Sequence, residues 1–202
     1  MDIVIESVKK LECLLEHSGC ENGDVLLEVN PDTMNCRYEK GACMTATFGG
    51  RVADFITFDP IRALTKISFM FGAPLDTPQV RGAACAIVNA AAGFFCLSRV
   101  LRSCPAASHD TCRERLMQEM AGKRVWCVGE IPAIEQEFRH SLAVGPDDAE
   151  IILIGSEGII APGTGDLIET WRKSRRILCI GPSTAGIARL HELELWCPFG
   201  RP

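Results

Sequence analysis

Glu150-Ile-Ile-Leu-Ile-Gly-Ser-Glu157 is the stretch of the chain that decides its fold. Its consecutive apolar residues show no polar alternation, which is typical of a strand buried on both faces of a sheet. The glycine that follows predicts a sharp turn and leaves polar groups at the carboxyl end of the strand. Two other stretches repeat this design: Lys-Arg-Val-Trp-Cys-Val-Gly-Glu at 123–130 and Arg-Arg-Ile-Leu-Cys-Ile-Gly-Pro-Ser at 175–183.

Helical patterns lie between these three stretches, and strands that alternate with helices build an open parallel sheet. The sequence therefore predicts an α/β fold with a Rossmann-like parallel sheet after about residue 122. Ligands of such sheets bind beyond the carboxyl ends of the strands. We expect Glu130, Ser156, Glu157 and Ser183 to meet in one crevice there, with Asn89 approaching from the N-terminal side.

The N-terminal half has a different pattern, that of a small α+β unit. Its short segments, in which apolar and polar residues are mixed, predict strands at 24–29, 34–38, 42–48 and 52–58. Asp59-Pro60 and Thr77-Pro78 are helix-start signals, and the second predicts an apolar helix over 78–102. Because this helix is apolar almost all round, we expect it to be buried between the N-terminal unit and the parallel sheet. We place the domain boundary between 1–104 and 105–202.

Composition excludes several classes of partner. The chain has 202 residues and a formal net charge of -5 without a basic block, which argues against nucleic acid. Its longest apolar run, 82–98, is short for a membrane span and carries Asn89, which predicts no membrane insertion. The 11 cysteines are odd in number and no secretory pattern opens the chain, so we expect free thiols and a cytoplasmic protein.

Motifs for common cofactors and nucleophiles are absent. No Gly-x-Gly-x-x-Gly follows the strand at 124–128 and no Walker A pattern exists, so classical NAD or ATP use is not expected. No Gly-x-Ser-x-Gly elbow exists either, and enzymatic activity stays open. Cys104-x4-His109-x2-Cys112 offers three ligand types at metal-like spacing, but it lacks a fourth ligand.

Two further features each have two interpretations. Glu130 and Glu157 close neighbouring strands, where paired carboxylates hold a divalent metal ion or work as acid and base; the alternative is a pair of solvated loop residues. Asn89 is a polar residue within the apolar helix, and a buried amide needs partners. It hydrogen-bonds a neighbouring loop or, if the helix lines the crevice, reaches a ligand.

Several stretches together resemble a heavy-metal chelation family. They are Ala83-Ala-Cys-Ala-Ile-Val-Asn89-Ala90, residues 123–132, Ile152-Leu-Ile-Gly-Ser156, Gly163-Thr-Gly-Asp-Leu167 and Ile180-Gly-Pro-Ser183. The resemblance covers roughly residues 80–196 and implies an enolase N-terminal-like unit joined to a Rossmann-like domain. The family's activity is not established; its name implies metal handling, with a link to anaerobic cobalamin metabolism.

The resemblance also implies a set of ligand-binding positions in the crevice. They are Asn89, Gly129, Glu130, Pro132, Gly155, Ser156, Gly181, Pro182 and Ser183. This chain departs from the family at Glu157, where a neutral residue is expected, although we include Glu157 among the ligand-binding candidates. The segment 138–148 is too short for a full strand and crossover, so the second strand of the sheet is reduced or lost.

The leading interpretation is a cytoplasmic binding protein that holds a heavy-metal ion or a small metal complex in the crevice. The alternative is an enzyme that acts on a small anionic or nucleotide-like metabolite in the same place. A third is a non-catalytic subunit whose apolar helices serve a protein partner, with homo-oligomerisation left open.

Overall fold

A computed structural model describes residues 1–202 as two four-stranded sheets with seven α-helices. The helices are α1 (Ile3–Leu15), α2 (Pro78–Phe94), α3 (His109–Glu119), α4 (Pro132–Glu137), α5 (Ser156–Ile160), α6 (Thr164–Trp171) and α7 (Ala185–Leu190). The strands are β1 (Asp24–Asn30), β2 (Ala42–Phe48), β3 (Arg51–Thr57), β4 (Ala63–Lys66), β5 (Val125–Val128), β6 (Ile151–Ile154), β7 (Arg176–Ile180) and β8 (Glu194–Trp196). None of the helices combines the length and the apolar character needed to cross a membrane.

The C-terminal sheet is parallel throughout, with strands in the order β5-β6-β7-β8, which confirms the predicted α/β fold. Its register places Val128 beside Ile154 and Ile154 beside Cys179. The carboxyl ends of β5, β6 and β7 therefore lie side by side. At the outer edge of β5, Leu142 forms one isolated parallel bridge to Val125, so the short segment 138–148 supplies a single bridging residue and no strand.

Helix α2 lies between the two sheets, as its sequence predicts. Thr77 caps it, Pro78 opens it, and every residue over 81–93 is buried. The helix packs against β2 and β3 on one side and α7 on the other, because its alanines and glycines permit close approach. One hydrophobic core runs through both halves of the chain, and the boundary at residue 104 stays a prediction.

The predicted extension of this helix to residue 102 is wrong. It ends at Phe94, and Cys96 adopts a left-handed φ of 58°, which turns the chain out of the helical path. The chain then runs beside β3, where Asp54 N donates to Leu101 O at 2.8 Å. Backbone hydrogen bonding to a strand edge therefore outweighs the apolar helical pattern.

The N-terminal sheet is antiparallel, in the order β3-β2-β1-β4, and two sequence predictions there are wrong. Residues 34–38 form no strand, because β1 pairs directly with β2 and leaves no place between them. Asp59-Pro60 starts no helix; residues 63–66 pair instead with the free edge of β1. In both cases the pairing of distant strands overrides a local signal.

The connection between β1 and β2, residues 31–41, crosses to the parallel sheet and is here called the β1–β2 connection. Its Cys36 and Tyr38 are buried in a second core together with residues of α3, α4 and one face of the parallel sheet. The N-terminal half thus packs on both faces of that sheet. The connection also carries Glu39 to the carboxyl ends of the parallel strands.

Candidate functional site

The candidate site lies at the carboxyl edge of the parallel sheet, where the loops after β5, β6 and β7 meet β3 and the β1–β2 connection. At this edge Gly129 has a positive φ of 82°, and its backbone lies against that of Gly158. A β-carbon at either glycine would collide with the other loop. The loops after β5 and β6 therefore pack directly against each other, backbone against backbone.

The loop after β7 binds a carboxylate of the chain itself. Glu39 Oε1 accepts a hydrogen bond from Ser183 N at 3.2 Å. Gly181 has a φ of 84°, and a β-carbon there would lie 2.5 Å from the Glu39 carboxyl carbon. Glycine at this position thus gives both the turn and the room for the carboxylate. In open parallel sheets, this is the position where external ligands bind.

Glu39 is an unfavourable occupant of this position. The residue is only 6% exposed, and its second oxygen, Oε2, has no hydrogen-bonding partner. Burial raises the pKa of its carboxyl to about 8; the hydrogen bonds from Ser183 lower it and the charge of Asp54 raises it. At neutral pH the carboxyl is mostly protonated, so the loop holds a neutral acid where it could hold a full negative charge.

Strand β3 covers the rest of the edge. Ile56 N donates to Ser183 Oγ at 2.9 Å, and Phe58 N donates to Glu157 Oε1 at 3.1 Å. Ser183 is completely buried. The predicted ligand groups Ser183 and Glu157 thus both bind the backbone of the N-terminal half at this edge.

Asn89 joins the two halves. Its Nδ2 donates to Ser183 O at 2.8 Å and to Pro182 O at 3.4 Å, and its Oδ1 accepts from Gly186 N at 2.7 Å. Of the two interpretations, the structure supports a hydrogen bond to a neighbouring loop. The amide is fully occupied and stabilises the position of the loop after β7.

The other predicted positions surround this core of contacts. Glu130 is exposed and its carboxylate lies 3.9 Å from Lys40 Nζ. Pro132 is the first residue of α4, and Gly155 precedes the buried Ser156 that starts α5. Lys40 Nζ lies 5.8 Å from the centre of the Phe58 ring. Glu130 thus has a cation beside it and lies at the rim of the site.

A metal ion does not find a ready set of protein ligands here. No three or more His, Cys, Asp or Glu side chains of the chain lie close enough to share an ion. Glu130 faces Lys40 and Glu157 accepts from a backbone N–H, so each carboxylate already has a positive or polar partner. The residues do not fit a bare ion at Glu130 and Glu157.

Buried polar atoms that lack a protein partner concentrate around the β1–β2 connection. Most of them belong to the connection or to side chains near it. They are Asn35 Oδ1, Tyr38 Oη, Glu39 Oε2, Ser103 Oγ, His109 Nε2, Glu137 Oε2 and Trp196 Nε1. Native structures contain few such atoms, and a cluster of them is typical of a place where water or a ligand completes the hydrogen bonding.

Contacts tie these side chains to the connection. Arg37 donates to Glu137 at 2.6 Å and lies 3.9 Å from Asp110, the residue after His109. Tyr38 shares its core with Trp196. The connection is therefore held on the C-terminal half by an ion pair and apolar packing, while much of its buried polar surface stays without a protein partner.

Four cysteines lie around the same segment: Cys36, Cys104, Cys112 and Cys197. Burial raises the pKa of Cys197, and the charges of Glu39, Cys104 and Cys112 raise it further. The spacing of Cys104 and Cys112 is visible in the sequence, but it does not point to Cys197 or Glu39. No local signal marks these two, because they come together only when the connection folds over the parallel sheet.

Comparisons with known proteins support the fold. No family model matches the chain, and no curated protein matches it. It is similar to a crystal structure of a protein of unknown function from the DUF364 family of Pyrococcus horikoshii, with a TM-score of 0.50 and 11% identity over 90% of this chain and 79% of that chain. A DUF364 protein of unknown function from Desulfitobacterium hafniense DCB-2 gives a TM-score of 0.47 and 15% identity over 92% and 82% of the two chains. At these identities the first similarity concerns the fold alone.

Proposed function

We propose that the chain is a binding protein for a small anionic molecule, which its loop after β7 receives at the carboxyl edge of the parallel sheet. The observation that carries this proposal is the hydrogen bond from Ser183 N to the Glu39 carboxyl. It supports the proposal because the loop already holds a carboxyl group, in the position that ligands take in this class of sheet. Glu39 is then an internal occupant that a ligand replaces.

Replacement is favourable because the occupant is poorly satisfied. An unpartnered buried oxygen costs about 1–3 kcal/mol, and Glu39 Oε2 is one. A phosphate or carboxylate ligand that brings further contacts to Ser183 N would release this cost.

A metal complex is one ligand of this kind. The chain does not gather three ligands around a common ion, so a metal fits the site best when an anionic organic chelator already surrounds it. In that case the protein recognises the chelator's negative groups. Metal handling thus stays part of the proposal, in the form of binding a chelated ion. Direct coordination of a bare ion by Glu130 and Glu157 is the less favoured form.

The second candidate is an enzyme that acts on a small anionic metabolite. The observation that favours it is the pKa of Glu39, which burial raises to about 8. A carboxyl whose pKa lies near the working pH is suited to general acid–base catalysis, and such shifts are enriched in active sites. Glu39 would exchange a proton with the bound molecule, and an enzyme would convert its ligand where a binding protein would not.

The test is a thermal-shift screen followed by calorimetry. The panel contains inorganic phosphate, a nucleoside diphosphate, citrate and iron–citrate, against protein purified without chelator or oxygen. Anions that bind the loop should bind Glu39→Ala more tightly than the wild-type chain, because the internal competitor is gone. Glu130→Ala is the matched control: it removes an exposed carboxylate at the rim and should change affinity only slightly.

The outcomes separate the candidates. Iron–citrate that binds much more tightly than citrate supports a metal complex as the ligand. A ligand that the wild-type chain converts and Glu39→Gln does not convert supports the enzyme. An anion whose affinity is the same in the wild-type chain, Glu39→Ala and Glu130→Ala would show that the loop after β7 is not its binding place.

A further inference from the structure

A cavity of about 360 Å³ lies between α1, α6 and the end of α7 and shares no residue with the site described above. Its lining is mostly charged: Met1, Glu6, Lys10, Glu169, Arg172, Leu190, His191 and Glu192. Cavities of this size hold small molecules. The feature that distinguishes it is a buried histidine with one ring nitrogen left free.

The hydrogen bonds of Ser7 fix the state of this histidine. Ser7 Oγ lies 2.7 Å from Ile3 O and can bond to it only as a donor, so its single proton is used there. Ser7 Oγ also lies 3.0 Å from His191 Nε2. His191 must therefore donate through Nε2–H, and its Nδ1 carries a lone pair.

Nδ1 of His191 has no protein partner, although the residue is only 9% exposed and lines the cavity. Burial lowers the pKa of His191 to about 4; Lys10 and Arg172 lower it further, while Glu6 and Glu169 raise it. The imidazole is thus neutral at neutral pH. Its Nδ1 lone pair is an acceptor that suits an N–H donor.

Charges of both signs surround this acceptor. Lys10 Nζ donates to Leu190 O at 2.8 Å, and Arg172 lies 3.3 Å from Glu169. Glu192, held at a left-handed φ of 54° beside His191, forms no ion pair. The cavity therefore offers a free carboxylate and a neutral acceptor on one hand, and two cationic side chains on the other.

We propose that this cavity binds a small zwitterion of amino-acid size. Its ammonium group donates to His191 Nδ1 and to the Glu192 carboxylate, and its carboxylate contacts Lys10 and Arg172. A purely cationic amine would meet two like charges, and a purely anionic molecule would meet Glu6, Glu169 and Glu192. A zwitterion pairs with the cationic and the anionic side chains at once, so it fits the cavity better than a pure cation or a pure anion.

The test follows the ring nitrogens of His191 by long-range ¹H–¹⁵N NMR of the full chain. Glycine, L-glutamate and L-lysine are the zwitterionic probes; ethylamine and propionate carry only one of the two groups. At least one zwitterion should shift the Nδ1 resonance in a saturable way. Ethylamine and propionate should each bind at least about tenfold more weakly, the loss expected when one charge-assisted hydrogen bond is missing.

Variants provide the second readout. Glu192→Gln and Lys10→Met should each weaken the bound zwitterion about tenfold, while Lys173→Gln changes an exposed neighbouring charge outside the cavity and should leave affinity within about twofold. Failure of all three zwitterions to move Nδ1 would overturn the proposal. Equal binding of ethylamine and the zwitterions, or equal effects of Lys10→Met and Lys173→Gln, would overturn it too.

Discussion

Replacing Glu39 by Gln should remove a pH dependence from the stability of the protein. Glu39 is buried, and its pKa is raised from the ordinary 4.5 to about 8. The folded chain therefore holds a proton that the unfolded chain has already lost between these two pH values. Stability from this group is fully present below about pH 4.5 and is lost as the pH rises toward about 8. Gln cannot ionise, so the variant lacks this loss.

The magnitude follows from the size of the shift. Each pH unit between the two pKa values removes about 1.4 kcal/mol from the free energy of unfolding. Between about pH 5 and about pH 8 the wild-type chain should lose up to about 4 kcal/mol relative to Glu39→Gln. Movement of the β1–β2 connection that lets water reach the carboxylate would make the difference smaller without changing its sign.

Urea unfolding at several pH values measures this difference. The free energy of unfolding of the wild-type chain minus that of Glu39→Gln should fall steadily over this range. Glu130→Gln serves as the matched control, since Glu130 is exposed and such changes cost about 0.5 kcal/mol or less. A difference that stays constant with pH, or that rises, would refute the burial of Glu39 against the loop after β7.

Three further predictions concern the rest of the molecule. Asn89→Ala should lower the free energy of unfolding by about 2–3 kcal/mol, because Gly186 N and Ser183 O lose a buried partner; urea unfolding checks this, and a loss below about 0.5 kcal/mol would contradict it. Ser183→Ala should destabilise the protein through the lost acceptor of Ile56 N, with slower amide exchange at Ile56 in the wild-type chain than in the variant; equal exchange would contradict it. Thiol titration of the unreduced, denatured protein should find nearly all 11 cysteines free, since the structure contains no disulfide, and two or more bridges would contradict it.

The parallel sheet was predictable because its signal is local. Residues 150–157 and the two matching stretches each carry a continuous apolar run followed by glycine, and burial on both faces makes that run necessary. The same holds for α2, whose start at Thr77-Pro78 follows from its cap. In these places local preference and tertiary packing agree.

The wrong predictions concern segments whose structure depends on packing partners that are distant in the sequence. The alternating pattern at 34–38 looks like a strand, but β1 and β2 pair with each other and the segment packs on the other half of the chain. Residues 63–66 follow a helix-start signal but complete the edge of β1. A single sequence shows that such segments are buried, but it does not show what they are buried against.

The sequence predicts where the candidate site lies, but it predicts only some of the residues that form it. The sequence places Glu157 and Ser183 at the carboxyl edge, because a parallel sheet puts its strand ends side by side. It does not show that β3 and Glu39 bind these loops, since Glu39 lies far from Ser183 along the chain. A buried carboxylate contributed by another part of the chain leaves no periodic or spacing signal.

Rescue of Glu39→Ala by a small anion tests the central claim most directly. Removing the side chain leaves Ser183 N without its acceptor, and formate or phosphate should take its place. At constant ionic strength, an anion at about ten times its Kd should stabilise the variant by about 1.4 kcal/mol, while the wild-type chain and Glu130→Ala gain much less. An equal rise of the unfolding midpoint in all three proteins would be a general salt effect, and it would contradict an anion-binding loop after β7.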